Sequence, residues 1–171
     1  SGGEPLLQPD FLNMLLIECI ERGIHTALDT SGYASHDIID RISRKVDLFL
    51  YDIKMMDDAK HRKYTGVSNK PILQNLRKLA KNGSELVVTL AIIPGVNDDE
   101  KNITNTAEFL SSLSNVKHVS LLPYHRAGVD KYKSLGRSYK LVKTKPPSSQ
   151  KMKTIGEKLK DCGLIVKIGG R

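Results

Sequence analysis

The chain has 171 residues, 39% hydrophobic and 27% charged, a composition that suits one globular domain and excludes a disordered or fibrous chain. No apolar run approaches the roughly 20 residues of a membrane-spanning helix. The net charge of +8 is local: residues 131–171 carry twelve Lys/Arg against Glu157 and Asp161, whereas residues 1–130 carry fifteen against seventeen. A solvated lysine-rich surface explains this first and an acidic protein partner second. Nucleic acid comes third, because the basic stretch offers only Tyr132 and Tyr139 for stacking and no nucleic-acid motif.

Taken in order, the chain opens on a turn, Ser1-Gly2-Gly3-Glu4-Pro5, with no Met, so an excised fragment is expected. Apolar periodicity predicts a helix from Pro9 to Arg22, closed by Gly23. Cys19 is expected on its buried face beside Phe11, Leu12, Leu15 and Leu16. A strand over His25–Leu28, a helix from His36 to about Lys45 and a strand over Asp47–Ile53 follow. His61 reads as a surface residue in the loop after this strand; Asp57 and Asp58 before it could suggest a metal, but solvated loop charges explain them first. His36 and His118 are also read as surface residues. Next come a helix Pro71–Lys81, a nearly continuous apolar strand Leu86–Ile93, a helix Asp99–Leu113 and a strand His118–Leu122. A long basic loop over 126–147 precedes a helix Ser149–Asp161 and a strand Leu164–Ile168. Cys19 and Cys162 form no Cys-x-x-Cys cluster, so neither a zinc site nor a disulfide framework is read, and a reducing, cytoplasmic compartment is expected.

Strands alternating with helices imply parallel pairing and right-handed crossovers. Each strand ends in polar residues: Asp29-Thr30-Ser31-Gly32, Asp52 and Lys54, Pro94-Gly95-Val96-Asn97-Asp98, and Pro123-Tyr124-His125. In a parallel β/α barrel those ends share one face, where active sites lie, so a barrel is preferred to an open doubly wound sheet. Alternation puts Leu48, Leu50, Asp52 and Lys54 inward and Phe49, Tyr51 and Ile53 outward. Opposite charges inside a barrel must pair with each other or meet a charged ligand. Asp29 points inward by the same rule, with Thr30 at the rim and His125 converging nearby. The paired glycines before Glu4 let backbone approach a ligand, and the Glu4 carboxylate could accept from an ammonium. On these residues alone, Lys54 could instead form a Schiff base as in aldolases, with Asp52 as acid or base. A non-catalytic interaction module on the same scaffold is the third reading.

Six segments in order resemble a known family: Ser1–Pro5, Gly23–Gly32, Tyr51-Asp52-Ile53-Lys54, Thr65-Gly66-Val67-Ser68-Asn69, Ile93-Pro94-Gly95-Val96-Asn97-Asp98, and Leu121–Gly128. Together they resemble the activating enzymes of glycyl-radical enzymes, above all those of pyruvate formate-lyase, within the radical S-adenosylmethionine (SAM) superfamily. The resemblance implies a partial parallel (β/α) barrel of the radical SAM type, lacking its N-terminal strands and occupying residues 1–171 as one incomplete domain. It implies SAM and a 4Fe-4S cluster as cofactors, a glycyl-radical enzyme as protein substrate, and flavodoxin or ferredoxin as electron donor. The cluster's Cys-x-x-x-Cys-x-x-Cys loop lies upstream in the family and is absent here, so this piece alone is expected to be inactive. The resemblance assigns Gly2, Gly3 and Glu4 to the SAM amino group and Asp29, Lys54 and His125 to the SAM pocket. It also assigns Asp29, Thr30 and Asp52 to a site that can hold a monovalent cation. Thr89 departs from the family, whose members often carry arginine there. The loop Arg126–Lys145, with Lys131, Lys133, Lys140 and Lys143, is expected to dock or gate the protein partner.

Overall fold

A computed structural model describes residues 3–170; the side chains of Ala127 and Lys131 lie outside the described ones. Five strands form one parallel sheet: β1 Ala27–Thr30, β2 Leu48–Ile53, β3 Leu86–Ile92, β4 His118–Pro123 and β5 Ile165–Ile168. Their spatial order is their sequence order. A doubly wound sheet reverses its order at a switch point, and here none occurs. With crossovers of one hand, consecutive order puts the connecting helices on one side of the sheet. Burial agrees: Phe49, Tyr51, Ile53, Val88, Leu90, Val119 and Leu121 are buried, while Leu48, Leu50, Asp52 and Val87 on the other face are half-buried. This is the expected partial β/α barrel.

The helices are α1 Pro9–Glu21, α2 His36–Ser43, α3 Asp58–Thr65, α4 Lys70–Lys81, α5 Glu100–Ser111, α6 Val129–Ser134 and α7 Ser149–Asp161. Most match the periodicity within one or two residues. The first strand begins two residues later than expected. Thr26 gives both its amide and its hydroxyl to the Asp47 carboxylate, at 2.7 and 2.9 Å, so the ladder starts at Ala27 paired with Leu48.

Three expectations fail. The segment after β2 is not a loop but contains α3, whose surface is almost wholly polar and so lacks an apolar stripe. Its caps form it: the Asp57 side chain accepts from the Lys60 amide at 2.8 Å, and Gly66 closes it with φ of 86°. His61 is not a surface residue but 2% exposed, its Nδ1 lying 2.8 Å from the Val67 carbonyl. Third, α1 buries only Leu12 and Leu16 fully; Phe11, Met14 and Leu15 are exposed and Cys19 is half-buried. One stripe of α1 meets the barrel wall, and Phe11 and Leu15 turn toward the mouth, where they line a cleft.

The turn between α3 and α4 carries its own pH dependence. Asp58 accepts from the Ser68 hydroxyl, the Arg62 guanidinium and the Asn69 amide, and these bonds lower its pKa to about 2. Its folded value lies below the ordinary 3.8, so its contribution is complete above that pH and fades as pH falls toward 2. Acid titration of the Ser68 and Asn69 amide resonances is therefore expected to show a midpoint near pH 2 that disappears in Asp58→Asn. A midpoint near 4 would show the bonds to be weak.

Candidate functional site

The carboxyl ends of β1 and β2 meet the opening turn around a cleft of about 720 Å3. Its lining includes Gly3, Glu4, Phe11, Leu15, Asp29 and Asp52. Asp29 and Asp52 occupy inward positions on neighbouring strands, one step apart along the ladder, since Asp29 pairs with Leu50. Lys54 donates to Asp52 at 2.9 Å. Lys54 itself faces a second cavity of about 400 Å3, walled by Ile93, Val96 and Asn97 and roofed by Tyr132 and Tyr139. The Asp52–Lys54 pair thus forms the partition between the two spaces.

Three asparagine amides hold the segment behind this partition. Asn97 Nδ2 donates to the carbonyls of Lys54 and Ala91, both at 2.8 Å, and its Oδ1 accepts from the Ile93 amide at 2.7 Å. Asn69 Nδ2 donates to the carbonyls of Met55 and Met56 at 3.1 and 2.7 Å. Asn102 accepts from the Met56 amide at 2.9 Å and donates to the Asn97 carbonyl at 2.8 Å. The backbone that leaves β2 is fixed by side chains instead of by a ladder.

The opening turn is tied to β1 through Glu4. Its carboxylate accepts from the Thr30 hydroxyl at 2.5 Å, the Leu6 amide at 3.1 Å, and the Ser31 hydroxyl and amide at 2.6 and 2.9 Å. Thr30 is therefore not at the cleft rim; its side chain is buried on the helix-facing side of β1, level with Tyr51. Burial, reinforced by the negative charge of Glu4, pushes the Tyr51 phenol well above its ordinary range. The Tyr51 hydroxyl donates to the Ile72 carbonyl at 2.7 Å.

His125 follows β4, is exposed, and lines neither cavity. Gly2 lies outside the described residues. Among the described residues no group of three His, Cys, Asp or Glu side chains could hold a metal ion. Cys19 and Cys162 are separate free thiols, so the described residues do not fit an iron–sulfur cluster.

Several site features were missed in sequence. Register puts Asp52, Thr89, Ser120 and Lys167 in one row across the sheet. Thr89 is 1% exposed and its hydroxyl has no hydrogen-bond partner within the protein. Lys167 brings a cation to this row, from a strand whose sequence looked merely structural. The excursion after β4 is also more ordered than a loop. It contains α6, and Tyr124, Tyr139 and Leu141 pin it down: the two hydroxyls are 2.8 Å apart, and Tyr124 donates to the Leu141 carbonyl at 3.3 Å. Burial and this bond raise the Tyr139 pKa to about 12.

The family model described as the radical SAM superfamily matches residues 1–107. The chain belongs to the radical SAM superfamily. It is 40% identical over 173 residues to the trans-4-hydroxy-L-proline dehydratase activating enzyme of Clostridioides difficile, covering 99% of this chain and 57% of that protein. It is also 40% identical to the pyruvate formate-lyase-activating enzyme of Staphylococcus epidermidis over 90% of this chain and 63% of the relative. Among solved structures, a domain of the pyruvate-formate lyase-activating enzyme from Bacteroides vulgatus superposes with a TM-score of 0.83 at 38% identity, over 99% of this chain and 96% of that one. The chain thus spans about three-fifths of the length of these curated relatives. Radical SAM proteins use SAM together with a 4Fe-4S cluster. The lining of the cleft fits SAM: carboxylates at Asp29 and Asp52 suit its cationic groups, Phe11 and Leu15 give an apolar wall, and Lys54, paired with Asp52 from the neighbouring cavity, is a cation suited to its carboxylate.

Proposed function

We propose that this chain is part of a cytoplasmic activating enzyme that installs a glycyl radical on a partner enzyme such as pyruvate formate-lyase. The observation that carries this reading is the convergence of Asp29, Asp52 and Lys54 where β1 and β2 end, beside the turn of Gly3 and Glu4. Gly2, Gly3 and Glu4 present the turn to the ligand's amino group. Lys54 meets its carboxylate, and His125 approaches from β4. Asp29 and Asp52, with backbone of Thr30, supply oxygens for a monovalent cation beside that carboxylate. The role of these residues is to bind and orient, since correct placement of a reactive group lowers the barrier without any chemistry by the protein. Bound in the longer protein, SAM and a cluster held by residues outside this chain would supply one-electron radical chemistry directed at a backbone glycine of the partner; the residues of this chain hold and orient SAM for it. Flavodoxin or ferredoxin serves as electron donor to the longer protein, and the chain by itself does not turn over. The excursion over Arg126–Lys145, whose Tyr132 and Tyr139 roof the second cavity, docks or gates the partner.

The test is made on the longer protein, reconstituted anaerobically with iron and sulfide and then given SAM, a reductant and a glycyl-radical enzyme. A glycyl-radical EPR signal is expected on the partner, falling at least about tenfold in Lys54→Ala, as loss of a charge-assisted contact predicts. Absence of the radical, or full activity in the variant, would overturn the reading.

A further inference from the structure

The Glu4 carboxylate is engaged on every side. An ionised carboxylate offers about four lone-pair sites. The Thr30 hydroxyl and the Leu6 amide occupy Oε1, and the Ser31 hydroxyl and amide occupy Oε2. Thr30 is committed to this bond from its other side as well: its oxygen accepts from the Gly32 amide at 2.9 Å, which directs its one proton toward Glu4. Thr30 is 3% exposed, and its side chain lies on the face of β1 opposite Asp29. A ligand ammonium could reach the Glu4 carboxylate only by displacing one of these four donors. The backbone of the turn is fixed in consequence: the Glu4 carbonyl accepts from the Leu7 amide at 3.1 Å as the chain enters its first helical turn.

Resting on the cleft's reading as a SAM site, we propose that Glu4 is a positioning residue, held by Thr30 and Ser31. It sets the glycine turn against the ligand's amino-acid end without itself receiving the ligand's ammonium. Thr30 and Ser31 then act on binding at one remove, through Glu4, and belong to the site although neither side chain lines the cleft.

The proposal is tested by a double-mutant cycle between Glu4 and Thr30, with SAM affinities from calorimetry. Glu4→Gln is expected to weaken SAM about tenfold, the effect of losing a bond to a charged group. Thr30→Val should act likewise although its side chain does not line the cleft, Thr30→Ser should restore wild-type affinity, and the Glu4→Gln/Thr30→Val double variant should be no weaker than the weaker single variant. A Thr30→Val chain that binds normally while Glu4→Gln does not would overturn the proposal, since it would make Glu4 the ammonium's direct partner. So would additive losses. Amide exchange at Ser31 reads the brace without any ligand: it should accelerate in Glu4→Gln and Thr30→Val, and unchanged exchange would sink the brace. A wild-type chain that protects Ser31 through Glu4 yet does not bind SAM would instead overturn the reading of the cleft.

Discussion

Replacing Gly32 by alanine is expected to destabilise the chain by about 4 kcal/mol, seen as a large fall in the urea midpoint or as insoluble expression. Two causes add. Gly32 has φ of 70°, where a side chain is strained, and a Cβ there would fall on the hydroxyl and ring of Tyr51. Neither neighbour can give way. Tyr51 is fully buried and bonded to the Ile72 carbonyl, and the turn is clamped by Asn75, whose amide donates to the carbonyls of Gly32 and Ala34 at 2.9 and 3.0 Å. Tyr51→Phe alone should lose about 1 kcal/mol for its hydrogen bond. It should not rescue Gly32→Ala, because the ring carbon that bore the hydroxyl also stands in the way. An alanine chain as stable as the wild type would mean that the turn after β1 has a second arrangement.

Asn97→Ala is expected to cost about 3 kcal/mol and to weaken SAM binding as well. The substitution leaves the Lys54 and Ala91 carbonyls and the Ile93 amide without their partner, at a residue only 3% exposed. Lys54 then loses its backbone anchor beside the cleft. Asn97→Asp should do no better than alanine, because a carboxylate cannot donate to two carbonyls. Calorimetry together with urea unfolding separates the two effects. A variant of lowered stability but unchanged SAM affinity would show that Lys54 is placed by its ion pair with Asp52 alone.

These expectations show what could be read from the sequence and what could not. The placement of Asp52 on the face of β2 opposite Phe49, Tyr51 and Ile53 was legible because a strand alternates with a period of two and its outer face must be apolar against helices. Alternation leaves an Asp52–Lys54 pair and a ligand-binding cleft as alternatives; the pair forms, and Asp52 lines one cavity while Lys54 lines the other. The roles of Asn69, Asn97 and Asn102 were hidden, since an amide's partners are backbone atoms far along the chain. Helix α3 was hidden because a helix held by caps and one buried histidine has no apolar rhythm. Its signals, Asp57 at the start and Gly66 at the end, were present but had no stripe between them. The Glu4 brace could not be seen from a Gly-Gly-Glu turn, because it depends on which face of β1 carries Thr30.

The sequential strand order has a consequence for how such a chain is made. Each ladder joins strands separated by a single β/α unit, so no strand waits for a partner from the far end of the chain. Loop closure is thus kept short for a parallel sheet, the topology in which it is otherwise slow. As the polypeptide leaves the ribosome, β2 meets a β1 already synthesised, β3 meets β2, and so on to β5. The mouth is assembled in the same order, with the Glu4 brace and the Asp52–Lys54 pair available before the roof over residues 129–141 has been translated.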